Sequence, residues 1–171
     1  MHILNYYFTP FAVILILFAI LFSQPEKGVT YLSFGILGAA FVINVWLNRN
    51  LYRFLRWSRH IRAVTVWLNL AVSAALFYLL SAYWAPMWLL FLTAPAASAM
   101  YMKKWQVFLT ALFSCAVMFA LYYVRGLAFG EGGLGTQLWA MAGTQAVFIV
   151  FFSMFTSAMA EMVIKVRDSM R

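Results

Sequence analysis

Acidic side chains are almost missing from this chain. Its 171 residues include four Asp and Glu against twelve Lys and Arg, and charged residues make up 9% of the whole. A soluble domain carries roughly a quarter charged residues, so this sequence is not written to cover itself with water-facing groups. Cysteine is reduced to one residue, Cys115. A single cysteine excludes an intrachain disulfide framework and any paired-cysteine metal site. His2 and His60 stand far apart, neither with a partner at ligand spacing, so no metal site and no cofactor are expected. The apolar runs hold no Asp, Glu, Lys, Arg or His, and Cys115 is their one thiol. Pumps and ion-coupled transporters place carboxylates, His or Arg inside the membrane, and a hydrolase needs a nucleophile with a base. The chain is therefore expected to be neither a pump nor an enzyme.

Apolar sequence fills the space the charges leave. Hydrophobic residues are 66% of the chain and the mean hydropathy is +0.89. The expected fold is an all-α membrane protein with six transmembrane helices, over about 3–22, 29–47, 63–82, 87–102, 105–124 and 136–160. Each crossing needs about 20 apolar residues, and the stretch 63–102 holds enough, without one charge, for two. Pro10 falls near the start of the first span, where a missing amide donor is tolerated. Pro86 is expected to end the third span, with Tyr83 and Trp84 in an interfacial belt, and Pro95 to kink the short fourth. Gly35 and Ala39 form a small-xxx-small pair that lets another helix approach closely. The N-terminus has no basic n-region and no small-residue cleavage site, so the first span is expected to be retained.

Basic residues set the orientation. The stretch 48–62, NRNLYRFLRWSRHIR, carries Arg49, Arg53, Arg56, Arg59 and Arg62. Segments rich in Lys and Arg stay on the cytoplasmic side. Adding Lys103, Lys104, Lys165, Arg167 and Arg171 gives ten cations on the expected inner side, against Lys27 and Arg125 on the outer side. Both termini are then cytoplasmic. The Arg spacing in 48–62 also fits a short helix in the headgroup layer, its charges on anionic lipid; a plain positive-inside loop is the simpler reading, since a stop-transfer loop needs nothing else. The net charge of +8 is therefore expected to meet lipid rather than nucleic acid.

The polar residues of the spans, among them Asn44, Asn69, Ser73, Gln145, Ser153 and Ser157, are expected to make interhelical hydrogen bonds. After Ala160 no stop signal follows, and 161–171 continues as EMVIKVRDSMR. Met159, Val163, Val166 and Met170 recur at steps of four, three and four, the spacing of a dimeric coiled-coil seam. A frayed charged tail is the alternative for this segment.

The run SAYWAPMWLLFLTAPAASAMYMKKWQVFLTALF resembles the third-to-fifth helix region of the six-helix sensor modules of bacterial histidine kinases. There an outer turn carries Pro before a W-L-L-F-type run, then a second Pro and a basic pair, and the sixth helix runs on into a dimerising cytoplasmic helix. The resemblance covers about 63–171 and lies in pattern and spacing. It implies a sensory, dimerising input module in the bacterial inner membrane, passing a stimulus through the sixth helix to a cytoplasmic kinase, with 1–160 as membrane domain and 161–171 as the start of the signalling helix. A redox-sensing subset carries GGxxNPF in that turn and is associated with quinones. Of the equivalent positions here only Pro86 matches, which leaves Pro86, with Trp84 and Met87, as the quinone-type candidate. No phosphoacceptor-histidine segment or ATP-binding domain follows in this sequence. Two other readings stay open, a small substrate-binding subunit of a bacterial importer and a structural membrane adaptor.

Overall fold

The computed structural model describes residues 2–50, 58–99, 102–128 and 135–169, and every element among them is helical. The chain divides into two compact units between Thr93 and Ala94. The first holds α1 (His2–Ser23), α2 (Lys27–Asn50), α3 (Ser58–Leu80) and a 3-10 helix (Ala85–Leu92). The second holds α4 (Thr93–Ala99, its first residue lying on the division), α5 (Lys104–Ala128) and α6 (Thr136–Ser169). Four of these helices are long and apolar enough to cross a bilayer, over Lys27–Leu47, Ala63–Leu80, Lys104–Gly126 and Thr136–Val163. Two shorter apolar stretches, Pro10–Ser23 and Ala85–Ala99, accompany them. This composition marks a multi-pass membrane protein.

In the first unit α2 packs on α3, and the 3-10 helix packs on both α3 and α1. Pro10 lies inside α1 rather than in its first turn, so the carbonyl four residues back, of Tyr6, has no proline amide to accept. The helix closes on Gln24, whose amide donates to the Ile20 carbonyl at 3.1 Å and whose φ is 44°. A left-handed residue followed by proline is an efficient stop, and Pro25 comes next.

The prolines of the 63–102 region act differently from expectation. Helix α3 ends at Leu80, well before Pro86, in a turn where the amides of Tyr83 and Trp84 both donate to the Leu80 carbonyl. Pro86 instead begins the 3-10 helix, at a position whose amide needs no partner. What was expected as one α-helix kinked at Pro95 is eight residues of 3-10 helix followed by α4. The change of helix type comes at Thr93, which puts Pro95 in the first turn of α4, where it costs no hydrogen bond. At about 2.0 Å per residue the 3-10 segment rises about 16 Å, some 4 Å more than the same residues as α-helix.

The second unit is built on the α5–α6 hairpin. At the start of α5 the Lys103 amide donates to Gln106 Oε1 at 3.3 Å, while the Gln106 amide returns to the Lys103 carbonyl. That exchange caps the helix without a Ser or Thr. Contacts then join the two helices at successive levels. Lys104 pairs with Glu161 at 2.7 Å, the Cys115 thiol reaches the Ala146 carbonyl at 3.6 Å, Tyr122 donates to Gln145 at 3.0 Å, and Phe119 lies against Trp139 at 5.6 Å. From Trp139 to Glu161 α6 rises about 33 Å, close to the thickness of a hydrocarbon core.

The small pair Gly35 and Ala39 is not used as expected. Both are exposed, and a Cβ at Gly35 would meet nothing within 4 Å. α2 meets α3 on the side carrying Asn44, about half a turn from Gly35 by helical period.

Candidate functional site

Two features could carry function, one in each unit. In the first, helices α1, α2 and α3 and the 3-10 helix surround a cavity of about 460 Å³, within the size range of small-molecule sites. Small residues create the space: Ala12, Gly38 and Ala40 line it, and a Cβ at Gly38 would meet nothing within 4 Å. Its wall is apolar apart from two polar groupings. In the first, Asn44 Nδ2 on α2 donates to Asn69 Oδ1 on α3 at 3.2 Å, while Asn44 Oδ1 is buried without a partner.

The second grouping is a triangle of oxygens. The hydroxyls of Ser73 and Thr93 both donate to the Leu90 carbonyl, at 3.0 and 2.7 Å, and stand 3.2 Å from each other. The Thr93 amide reaches the same carbonyl, so Leu90 closes the 3-10 helix and joins it to α3. Because Thr93 supplies two of these three donors, Ser73→Ala should cost only about 0.6 kcal/mol, the average for a side-chain hydrogen bond between membrane helices. Denaturation of the purified chain in mixed micelles measures it; a loss above about 2 kcal/mol would show that Ser73 holds the junction by itself.

Interhelical hydrogen bonding accounts for only part of the polar inventory. Asn44, Asn69, Ser73 and Gln145 bond across helices. Thr110, Ser114, Thr144, Ser153 and Thr156 instead donate to the carbonyl four residues back in their own helix. A short hydroxyl side chain reaches that carbonyl without any neighbour, so its presence in a span says little about packing.

The quinone-type residues lie at the turn after α3 and the start of the 3-10 helix, and do not line the cavity. Trp84 stacks on Phe22 at 6.0 Å, Ser23 donates to the Tyr83 carbonyl at 2.7 Å, and Met87 is fully buried. The turn is thus tied to the end of α1. The indole Nε1 of Trp84 is buried without a partner. Among the described residues no group of three or more His, Cys, Asp and Glu is placed to hold a metal ion.

The second feature is the far end of α6, which runs unbroken from Thr136 to Ser169. One face, Ala142, Gln145, Ile149, Ser153 and Ser157, is buried. On another, Met159, Val163 and Val166 are 45%, 65% and 51% exposed. Met170, the last residue of the expected seam, lies outside the described residues, as do Arg53 and Arg56 of the basic stretch. Asn48–Asn50 are the end of α2 and Ser58–Arg62 the beginning of α3, so both ends of the basic stretch continue long helices. Arg49, Arg59 and Arg62 sit on those helix ends. Lys103 and Lys104 open α5, and Lys104 is half-exposed in its pair with Glu161. A pair so exposed contributes about 0–1 kcal/mol; it marks a level on the hairpin more than it holds it.

No protein-family model, curated protein or solved structure matches this chain.

Proposed function

We propose that this chain is the membrane-embedded, dimerising input module of a two-component sensor histidine kinase, working in a bacterial inner membrane. The observation that carries the reading is the length of α6. Its 34 residues rise about 51 Å, far more than a crossing requires. Counting from the Lys104–Glu161 pair, Met162–Ser169 adds about 12 Å of helix beyond that level. Val163 closes the apolar crossing and Val166 lies beyond it, both exposed, and an apolar seam that continues past the membrane needs a cover. A second copy of the same helix across a two-fold axis supplies one.

The orientation follows from the cations. Arg49, Arg59, Arg62, Lys103 and Lys104 all stand at helix ends that border apolar spans, and six crossings put these ends in the cytoplasm with both termini. Arg59 and Arg62 occupy the first turns of α3, where the helix dipole disfavours positive charge. Anionic headgroups explain their placement better than the helix does. Signalling would then be a population shift between two packings of the bundle, passed on by rotation or sliding of α6. An importer subunit is the weaker reading, because no charged residue lines the cavity to receive a polar vitamin.

Cysteine crosslinking tests the proposal. Single cysteines at Val163 and Val166 should join two chains in native membranes, and one at Lys165, on the other side of the helix, should not. Equal crosslinking at all three positions, or a chain that stays monomeric in mild detergent, would remove the dimeric exit.

A further inference from the structure

We infer that the end of the α5–α6 hairpin binds the phosphate of an anionic phospholipid between Lys103, Lys104 and Lys165, with Glu161 as the resident competitor. All four residues belong to the second unit. Lys165 stands about 160° around α6 from Val163, so the site does not depend on a dimer forming at the seam.

Depth comes first. The apolar crossings of the two helices begin at Lys104 and end at Val163. The Lys104–Glu161 pair, at 2.7 Å, sets those two ends level. Lys103 immediately precedes α5, and Lys165 lies about 6 Å past Glu161 along α6. The helices run antiparallel, so all three lysines stand at or just beyond the edge of the hydrocarbon. Trp105 beside them is 65% exposed and stacks on Phe108 at 5.6 Å. An indole at the edge of a span sits at the headgroup level, where a lipid phosphate is the anion within reach.

Charge selects an anionic lipid. Lys103, Lys104 and Lys165 are exposed, and Glu161 offsets one of them, which leaves two positive charges at this level. Arg167 and Asp168, further along the chain, cancel. Among the described residues the Lys104–Glu161 contact is the only ion pair, and a pair so exposed exchanges at little cost. Glu161 also has a second partner at hand. Lys165 follows it by four residues, about 40° around the helix, and Glu before Lys at that spacing is the favourable order. A phosphate that takes Lys104 therefore hands Glu161 to Lys165.

Photolabelling of the full chain in phosphatidylcholine nanodiscs tests this. The probes are phosphatidylglycerol and phosphatidylcholine carrying the same diazirine near the top of one acyl chain. Mass spectrometry then compares the adducts on the peptide containing Trp105. Each net charge at the surface is worth about a fivefold preference, so the wild-type chain should favour phosphatidylglycerol about 25-fold. Lys103→Gln and Lys165→Gln should each lower that ratio about fivefold, and the double variant should bring it near one. Glu161→Gln should raise it about fivefold, a change of sign that loss of structure does not produce. Equal labelling by the two lipids in the wild-type chain would overturn the inference, and that result needs no variant. An unchanged ratio in Glu161→Gln would remove the carboxylate as competitor and overturn the exchange. Loss of the preference in inorganic phosphate, but not in chloride of equal ionic strength, would assign the site to free phosphate and overturn the lipid as its occupant.

Discussion

One residue inserted after Ala160 should abolish the regulated output of a kinase core fused in frame after Arg171, or lock it in one state. Each residue of an α-helix turns the chain by about 100° and advances it by 1.5 Å. The insertion leaves the buried face, from Ala142 to Ser157, in its place, and swings Val163 and Val166 by about 100° off any interface they share with a second copy. Lys165, which is exposed, moves toward the partner instead, and two facing ammonium groups repel. Inserting seven residues at the same point returns the seam to within about 20° of its original direction while adding about 10 Å of length. The account therefore predicts loss with one added residue and recovery with seven. If the helix merely anchors the last span, neither insertion changes the output by more than a small factor. If length alone matters, seven residues do more harm than one.

Much of the helical framework could be read from the sequence, because apolar runs bounded by charge or glycine leave few alternatives in a chain with 9% charged residues. The prolines were harder. Position along a hydrophobic run does not say whether a proline ends a helix or begins one. Pro86 and Pro95 both turn out to open a helix, and Pro10, expected at an opening, lies within one. The 3-10 segment had no sequence signal of its own. It is fastened by Ser73 and Thr93 to the Leu90 carbonyl, residues brought together only by the turn at 81–84.

The polar residues separate along the same physical line. Asn44 and Asn69 have side chains too short and too polar to be left alone between apolar helices, and they found each other. Ser and Thr satisfy themselves on their own backbone, and hydropathy cannot distinguish the two outcomes. The cavity was the least legible feature. It depends on small residues from two helices, Ala12, Gly38 and Ala40, meeting at one level. Read one at a time they look like ordinary span residues, and Gly35, which looked equally suited to close packing, meets nothing.

Orientation carries the largest all-or-none expectation, and the whole functional account depends on it. Ten of the twelve Lys and Arg, all but Lys27 and Arg125, belong to segments that the proposed topology puts on one side, and each such cation resists being carried across the hydrocarbon. The turn between α1 and α2, at Gln24, should face outward; the start of α3, at Ser58, and the end of α6, at Ser169, should face the cytoplasm. Cys115 is buried and held against Ala146, so the native thiol serves as an unreactive background. The deciding measurement is labelling of single cysteines at these three positions with a membrane-impermeant thiol reagent. In intact cells Gln24→Cys should label fully, while Ser58→Cys and Ser169→Cys should label only after permeabilisation. Labelling of Ser58→Cys from outside in intact cells would contradict the orientation, and with it the delivery of α6 to a cytoplasmic output.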